Sequence, residues 1–147
     1  MATVRDMLRT KGFDIWSVPP DATVYDALKL MADKNIGAVL VREADRVVGI
    51  LSERDYTRKV TLQGKTAAET RAREIMTERV MCVRPEDTAE QCMALMTEKR
   101  VRHLPVVEDD QLIGLISIGD VVKATIDQQE FIIKQLEQYV RGTPYVP

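Results

Sequence analysis

Two stretches of the chain carry apolar residues at the i, i+3, i+4, i+7 spacing that gathers them on one face of a helix. These are Val24, Ala27, Leu28 and Met31, and then Ala89, Cys92, Met93 and Met96. Thr23 and Thr88 stand where an N-cap belongs, and Gln91 completes a capping box with Thr88. Behind each helix comes a continuous apolar run of strand length, Ala38 to Val41 and Leu104 to Val107. Acidic turns follow at Glu43 to Asp45 and Glu108 to Asp110, then second strands at Val47 to Leu51 and Leu112 to Ile116. These end on Ser52 and Ser117, each able to cap another helix. With a short first strand near Ile15 to Val18 or Val80 to Val83, each unit reads strand, helix, strand, strand, helix.

The two patterns are one pattern repeated. An offset of 65 carries Val18 onto Val83, Pro20 onto Pro85, Thr23 onto Thr88 and Leu30-Met31 onto Leu95-Met96, and later Gly49, Ser52 and Asp55 onto Gly114, Ser117 and Asp120. The predicted organisation is a helix in residues 1–14, closed by Gly12, a first repeat in 15–63 and a linker in 64–79. A second repeat in 80–125 and a C-terminal helix and tail in 126–147 complete it. One such unit leaves one sheet face uncovered. The expected fold is therefore α+β, two tandem repeats related by a pseudo-two-fold, with equivalent clefts between them. Ile126, Ile133, Leu136 and Val140 form a heptad-like seam in the last helix that Gln129 interrupts, suited to packing on a partner subunit or on the module itself.

Composition narrows the function. The 147 residues are 45% hydrophobic and 30% charged, as expected for a globular domain. With 21 Lys+Arg against 23 Asp+Glu the net charge is −2 and the basic residues are scattered, which gives nucleic-acid binding no support. No stretch has a membrane helix's length of apolar residues, and Met1 to Thr10 mixes acids and bases where a signal peptide would be apolar, so a cytoplasmic location is expected. Cys82 and Cys92 have no CxxC spacing and are expected to be reduced and buried. His103 is the sole histidine, so no metal site is predicted. No catalytic residues are assigned either: there is no acid-base constellation, G-x-G-x-x-G or Walker A sequence.

The most specific segment is Gly-apolar-x-Ser-x-x-Asp, present as Gly49-Ile50-Leu51-Ser52-Glu53-Arg54-Asp55 and as Gly114-Leu115-Ile116-Ser117-Ile118-Gly119-Asp120. Occurring twice at one offset, each time behind a Pro-x-x-Thr helix start and a strand pair, it resembles the cystathionine-beta-synthase (CBS) domain family in its tandem, stand-alone arrangement, the Bateman module. The resemblance implies a regulatory module without catalysis. It implies an adenine-nucleotide ligand, with AMP or NAD favoured and ATP, ADP or S-adenosylmethionine also accommodated, and it implies a homodimer acting on an unknown effector protein. A ligand-free assembly module is the alternative.

Residue by residue, Asp55 and Asp120 are suited to a ribose, because one carboxylate accepts both hydroxyls of a cis-diol. The alternative is that the same aspartates are only first-turn acids that stabilise a helix. Ser52 and Ser117 precede helix N-termini that favour phosphate, and they cap those helices in any case. Arg102 and His103 match family positions directed at phosphate, whereas the first repeat has Gly37 and Ala38 there. Arg54 has Gly119 as its counterpart, so two unequal sites, or one occupied site, are expected. The resemblance places base recognition at Ile15, Trp16 and Ser17, with Thr77, Val80, Met81 and Cys82 as counterparts. Trp16 can also be read as a core aromatic.

Overall fold

The computed structural model describes residues 1–142, which form two compact units: residues 14–81, and residues 1–13 together with those from Cys82 onward. The first contains β1 (Ser17–Val18), α2 (Val24–Lys34), β2 (Ala38–Glu43), β3 (Arg46–Ser52), α3 (Glu53–Lys59) and α4 (Ala72–Ile75). The second contains α1 (Val4–Lys11), α5 (Ala89–Lys99), β4 (His103–Glu108), β5 (Gln111–Ser117) and α6 (Ile118–Val140). The architecture is α+β, and no described helix is long and apolar enough to cross a membrane.

Within the 14–81 unit, β1 runs parallel to β2 and β2 antiparallel to β3, with Leu40 opposite Ile50 and Val41 opposite Gly49. The other unit repeats the hairpin, with Pro105 opposite Leu115 and Val106 opposite Gly114. Its first strand shrinks to a single parallel bridge between Val83 and Val106. Each hairpin turns through two residues. Asp109 and Asp110 both have positive φ (51° and 60°), the primed-turn geometry that matches strand twist and that short acidic side chains tolerate.

The predicted helix faces are the buried ones: Val24, Ala27 and Met31 in α2, and Ala89, Cys92 and Met96 in α5. Cys82 corrects the expectation of burial, for it is exposed. Its neighbour Val83 takes the inward position in the extended chain, and alternation turns Cys82 outward. The helix placed from Ile126 is also corrected. Ser117 starts one unbroken helix that runs to Val140, since nothing between Asp120 and Ile126 breaks it.

Along the sequence α1 falls outside the two repeats and the α4 region falls in the linker between them. The structure makes the two equivalent. Val4 and Arg5 donate backbone bonds to the Asp87 and Pro85 carbonyls at 2.8 and 3.0 Å, while Ala72 and Arg73 donate to Ala22 and Pro20 at 2.8 and 3.1 Å. Arg5 pairs with Glu86 and Glu108, and Arg73 with Asp21. The helix that precedes repeat 1 in sequence thus completes repeat 2, and the one in the linker completes repeat 1. Each lies against its hairpin glycine: a Cβ on Gly114 would stand 2.6 Å from Leu8 Cδ2, and one on Gly49 2.6 Å from Met76 Sδ.

Gly114→Ala is accordingly expected to destabilise by about 1–3 kcal/mol, because Leu8 is fully buried and cannot move aside. Gly49→Ala should cost less, since the Met76 side chain can bend away. Denaturant midpoints of the two variants measure the difference, and a wild-type midpoint for Gly114→Ala would overturn the account.

Candidate functional site

In both repeats the second hairpin strand runs straight into a helix capped by its last serine, and the Ser-x-x-Asp motif closes a capping box there. Asp55 Oδ2 accepts from the Ser52 N–H at 2.9 Å and from its hydroxyl at 3.1 Å. Asp120 Oδ2 accepts from Ser117 at 2.7 and 3.0 Å. The signal for this role was in the sequence, as a serine followed three residues later by an acid at a helix start.

Each carboxylate also holds a lysine. Lys59 Nζ lies 3.1 Å from Asp55 Oδ1 and donates to the Ile75 carbonyl at 2.9 Å, tying the site to α4. Lys11 Nζ donates to Asp120 Oδ2 and to the Leu115 carbonyl, both at 2.7 Å, tying the other site to α1. Neither lysine is among the site residues expected from the sequence. Lys59 was legible as an i,i+4 partner of Asp55, whereas Lys11 is 109 residues from Asp120 and had no local signal. Both aspartates stay partly open, with side-chain exposures of 15% for Asp55 and 24% for Asp120. Burial alone would raise the Asp120 carboxyl, but the hydrogen bonds from Lys11 and Ser117 outweigh it and hold it below the usual carboxylate range.

The residue before each hairpin folds onto the same helix start. Gly37 accepts from the Glu53 N–H at 3.1 Å, and Arg102 from the Ile118 N–H at 2.8 Å. His103 is therefore the register partner of Ser117, as Ala38 is of Ser52. Burial, and then the Lys11 ammonium, push the His103 imidazole down to about 4; Asp120 pulls it up and Arg102 adds to the fall. At neutral pH His103 offers a neutral ring, so charge near Asp120 comes from Arg102 and Lys11. Arg54 is the second residue of α3 and half-buried.

The residues expected around a base divide differently. Ile15, Trp16 and Ser17 lead into β1, where the Trp16 carbonyl accepts from Leu40 at 3.1 Å and its ring lies 4.2 Å from the Lys34 ammonium. Thr77, read as a counterpart in repeat 2, instead bridges Ile50 on the outer side of β3 through bonds of 2.9 and 3.0 Å. Val80 and Met81 belong to the same unit as Thr77, and Cys82 to the other. The chain returns along β3 before it reaches repeat 2, which no repeat offset reveals.

Among the described residues no group of three His, Cys, Asp or Glu could hold a metal ion. Burial, reinforced by Asp87, raises the Cys92 thiol to about 11, which leaves it without nucleophilic character at neutral pH.

The CBS domain family model matches this chain twice, at residues 4–61 and 72–127. The chain belongs to the CBS-domain family. Its relatives include the CBS domain-containing protein CBSX3, mitochondrial, of Arabidopsis thaliana, 39% identical over 95% of this chain and 72% of that protein. The solved structure of a protein with CBS domains from Burkholderia ambifaria, assigned by its name to signal transduction, is 51% identical, covers 87% of this chain and 96% of its own, and superposes with a TM-score of 0.84. A hexameric CBS-CP12 protein from bloom-forming cyanobacteria is 30% identical over 83% of this chain and 70% of its own, with a TM-score of 0.73.

The CBS repeat built around His103 should be acid-sensitive. Its imidazole titrates near 4 when folded and near 6.5 when unfolded, so the unfolded chain binds the extra proton. The stability this supplies is complete above about pH 6.5, falls as pH drops toward 4 and amounts to about 3 kcal/mol. Urea denaturation at pH 7, 5.5 and 4.5 checks this. His103→Asn should flatten the decline, and an equal decline in that variant would assign it elsewhere.

Proposed function

We propose that this CBS-domain chain is a non-catalytic regulatory module that binds an adenine nucleotide at two unequal sites, one per repeat, and acts as a homodimer on an effector protein. One observation carries the reading. In each repeat a partly open carboxylate at a helix N-terminus is held by a single lysine ammonium. A ribose cis-diol can take over the carboxylate, and the released ammonium then stands free for phosphate beside N–H groups that already favour an anion. Ribose and phosphate together describe a nucleotide, and AMP and NAD are the first candidates.

The inequality follows from the surroundings. The Asp120 site adds Arg102 and Lys11 on neighbouring segments, while the Asp55 site has Arg54 and Lys59 on its own helix and only Gly37 and Ala38 opposite. A second reading, a ligand-free assembly module, is favoured by the completeness of the capping boxes: both motifs have a full structural role without any nucleotide. The signal-transduction relative and the hexameric relative are consistent with either.

Calorimetric titration with AMP, NAD, ATP and S-adenosylmethionine separates the two readings, and absence of heat from all four would leave the assembly reading. Asp55→Asn and Asp120→Asn keep an oxygen that can accept the serine N–H but lose the charge. Each is expected to weaken one site by about 1.5–3 kcal/mol, roughly 10- to 150-fold. Unchanged binding in both would remove the ribose assignment.

Arg102→Ala should weaken AMP far more than adenosine, because the side chain addresses only the phosphate. Equal loss for the two ligands, measured in the same calorimeter, would make Arg102 a packing residue.

A further inference from the structure

Helix α6 has two apolar faces, and its own module uses only one. Val121 is buried, Ala124 packs on the core, the Gln128 side chain accepts from the Ala2 N–H at 3.1 Å, and Phe131 lines a cleft with Met1 and Met7. That stripe, at spacings of three, four and three, faces α1. The opposite face carries Ile118, Val122, Ile126, Ile133, Leu136 and Val140, with exposures from 41% to 83%. Ile132 (45%) and Tyr139 (84%) flank it. Nine large apolar side chains of α6 are exposed, Phe131 of the inward stripe among them at 46%, and the eight on this face and its flank make a strip of the kind that marks an interface.

The spacing along the strip admits a second copy as its partner, and the flanking residues select it. From Val122 through Ile126, Gln129, Ile133 and Leu136 to Val140 the steps are four, three, four, three, four, which reads the same from either end about residue 131. Such a strip is self-complementary under a two-fold axis. We propose that the α6 helices of two copies pair antiparallel, with the axis at the level of residue 131. The proposal rests on the homodimer reading above and supplies its interface.

In this pairing Val122 meets Val140 of the second copy, Ile126 meets Leu136, and Gln129 meets Ile133, forming coiled-coil layers over about 27 Å of helix. The flanks agree. On one side Lys123 faces Glu137 of the second copy, twice by symmetry, with the two Glu130 residues at the axis. On the other side Ile132 meets Ile132 and Tyr139 meets Thr125. A parallel pair would set Ile132 against Glu137 and bring Gln129 to Gln129, losing both the charge match and the apolar flank. Charge complementarity and the apolar flank therefore select a second copy in antiparallel orientation.

Sedimentation velocity on the full chain, and on Ile126→Glu/Ile133→Glu, tests the seam. Both residues are exposed, so the variant should keep the wild-type far-ultraviolet circular dichroism spectrum while its dimer dissociation constant rises at least about 100-fold. A monomeric wild type would overturn the homodimer reading itself. A wild-type dimer matched by a dimeric variant would leave that reading standing and overturn the α6 seam.

Orientation is read by disulfide formation in a Cys82→Ser background. Val122→Cys mixed with Val140→Cys should yield a cross-linked heterodimer, whereas either one alone should not cross-link to itself. Self-linking of Val122→Cys would show a parallel pair and overturn the proposal.

Discussion

Everything in each unit depends on how closely one helix approaches its hairpin at a glycine. Leu8 occupies the space above Gly114 and Met76 the space above Gly49, and in neither place is there room for a Cβ. That contact seats α1 on one repeat and α4 on the other. It thereby brings the Lys11 ammonium to Asp120 and the Ile75 carbonyl to Lys59. The glycine of the Gly-apolar-x-Ser motif is thus a packing requirement, and the polar arrangement three to six residues further on is positioned by it. A motif that reads like a binding fingerprint is in its first half a statement about helix docking.

Much of the fold was legible because local and long-range signals coincided. Threonine caps, helical stripes, two-residue acidic turns and serine caps recur at one offset, and the structure places the hairpins and the α2 and α5 faces accordingly. What escaped was the equivalence of α1 and α4, because their offset is 68: Arg5 maps onto Arg73 and Leu8 onto Met76. Three residues of extra spacer hid that part of the repeat. The exchange of helices between repeats has no sequence signature at all, since it is decided by which hairpin each helix can reach.

The chemistry around Asp120 was legible only in part. Ser117, Asp120, Arg102 and His103 were found from the motif and its neighbours, but the electrostatic state of Asp120 and His103 also depends on Lys11, which arrives from the other end of the chain. Without Lys11 an imidazole beside an aspartate would be read as a cation. With Lys11 holding that aspartate, and with the ring buried, His103 is neutral and the site's positive charge resides on Arg102 and Lys11. Burial of the ring is the larger cause and the Lys11 contact adds to it, so tertiary structure decides the assignment.

The two capping boxes are alike, yet the helices they start are not. Ser52 and Asp55 begin a seven-residue helix with no buried residue, whereas Ser117 and Asp120 begin the 23-residue α6 that carries the palindromic strip. A ligand that draws the Asp120 carboxylate away from Lys11 loosens the bond between the start of α6 and α1, and α1 is the element on which the inward face of α6 rests. On the proposed reading, occupancy of the second repeat acts directly on the helix that joins two copies, while occupancy of the first acts on α3 and, through Lys59, on the Ile75 carbonyl of α4. A coupling free energy between nucleotide and dimer must be reciprocal, so a nucleotide that weakens the α6 pair is itself bound more weakly by the dimer than by the free protomer. Inequality between the repeats is then what a module needs when only one of its two sites is connected to its interface.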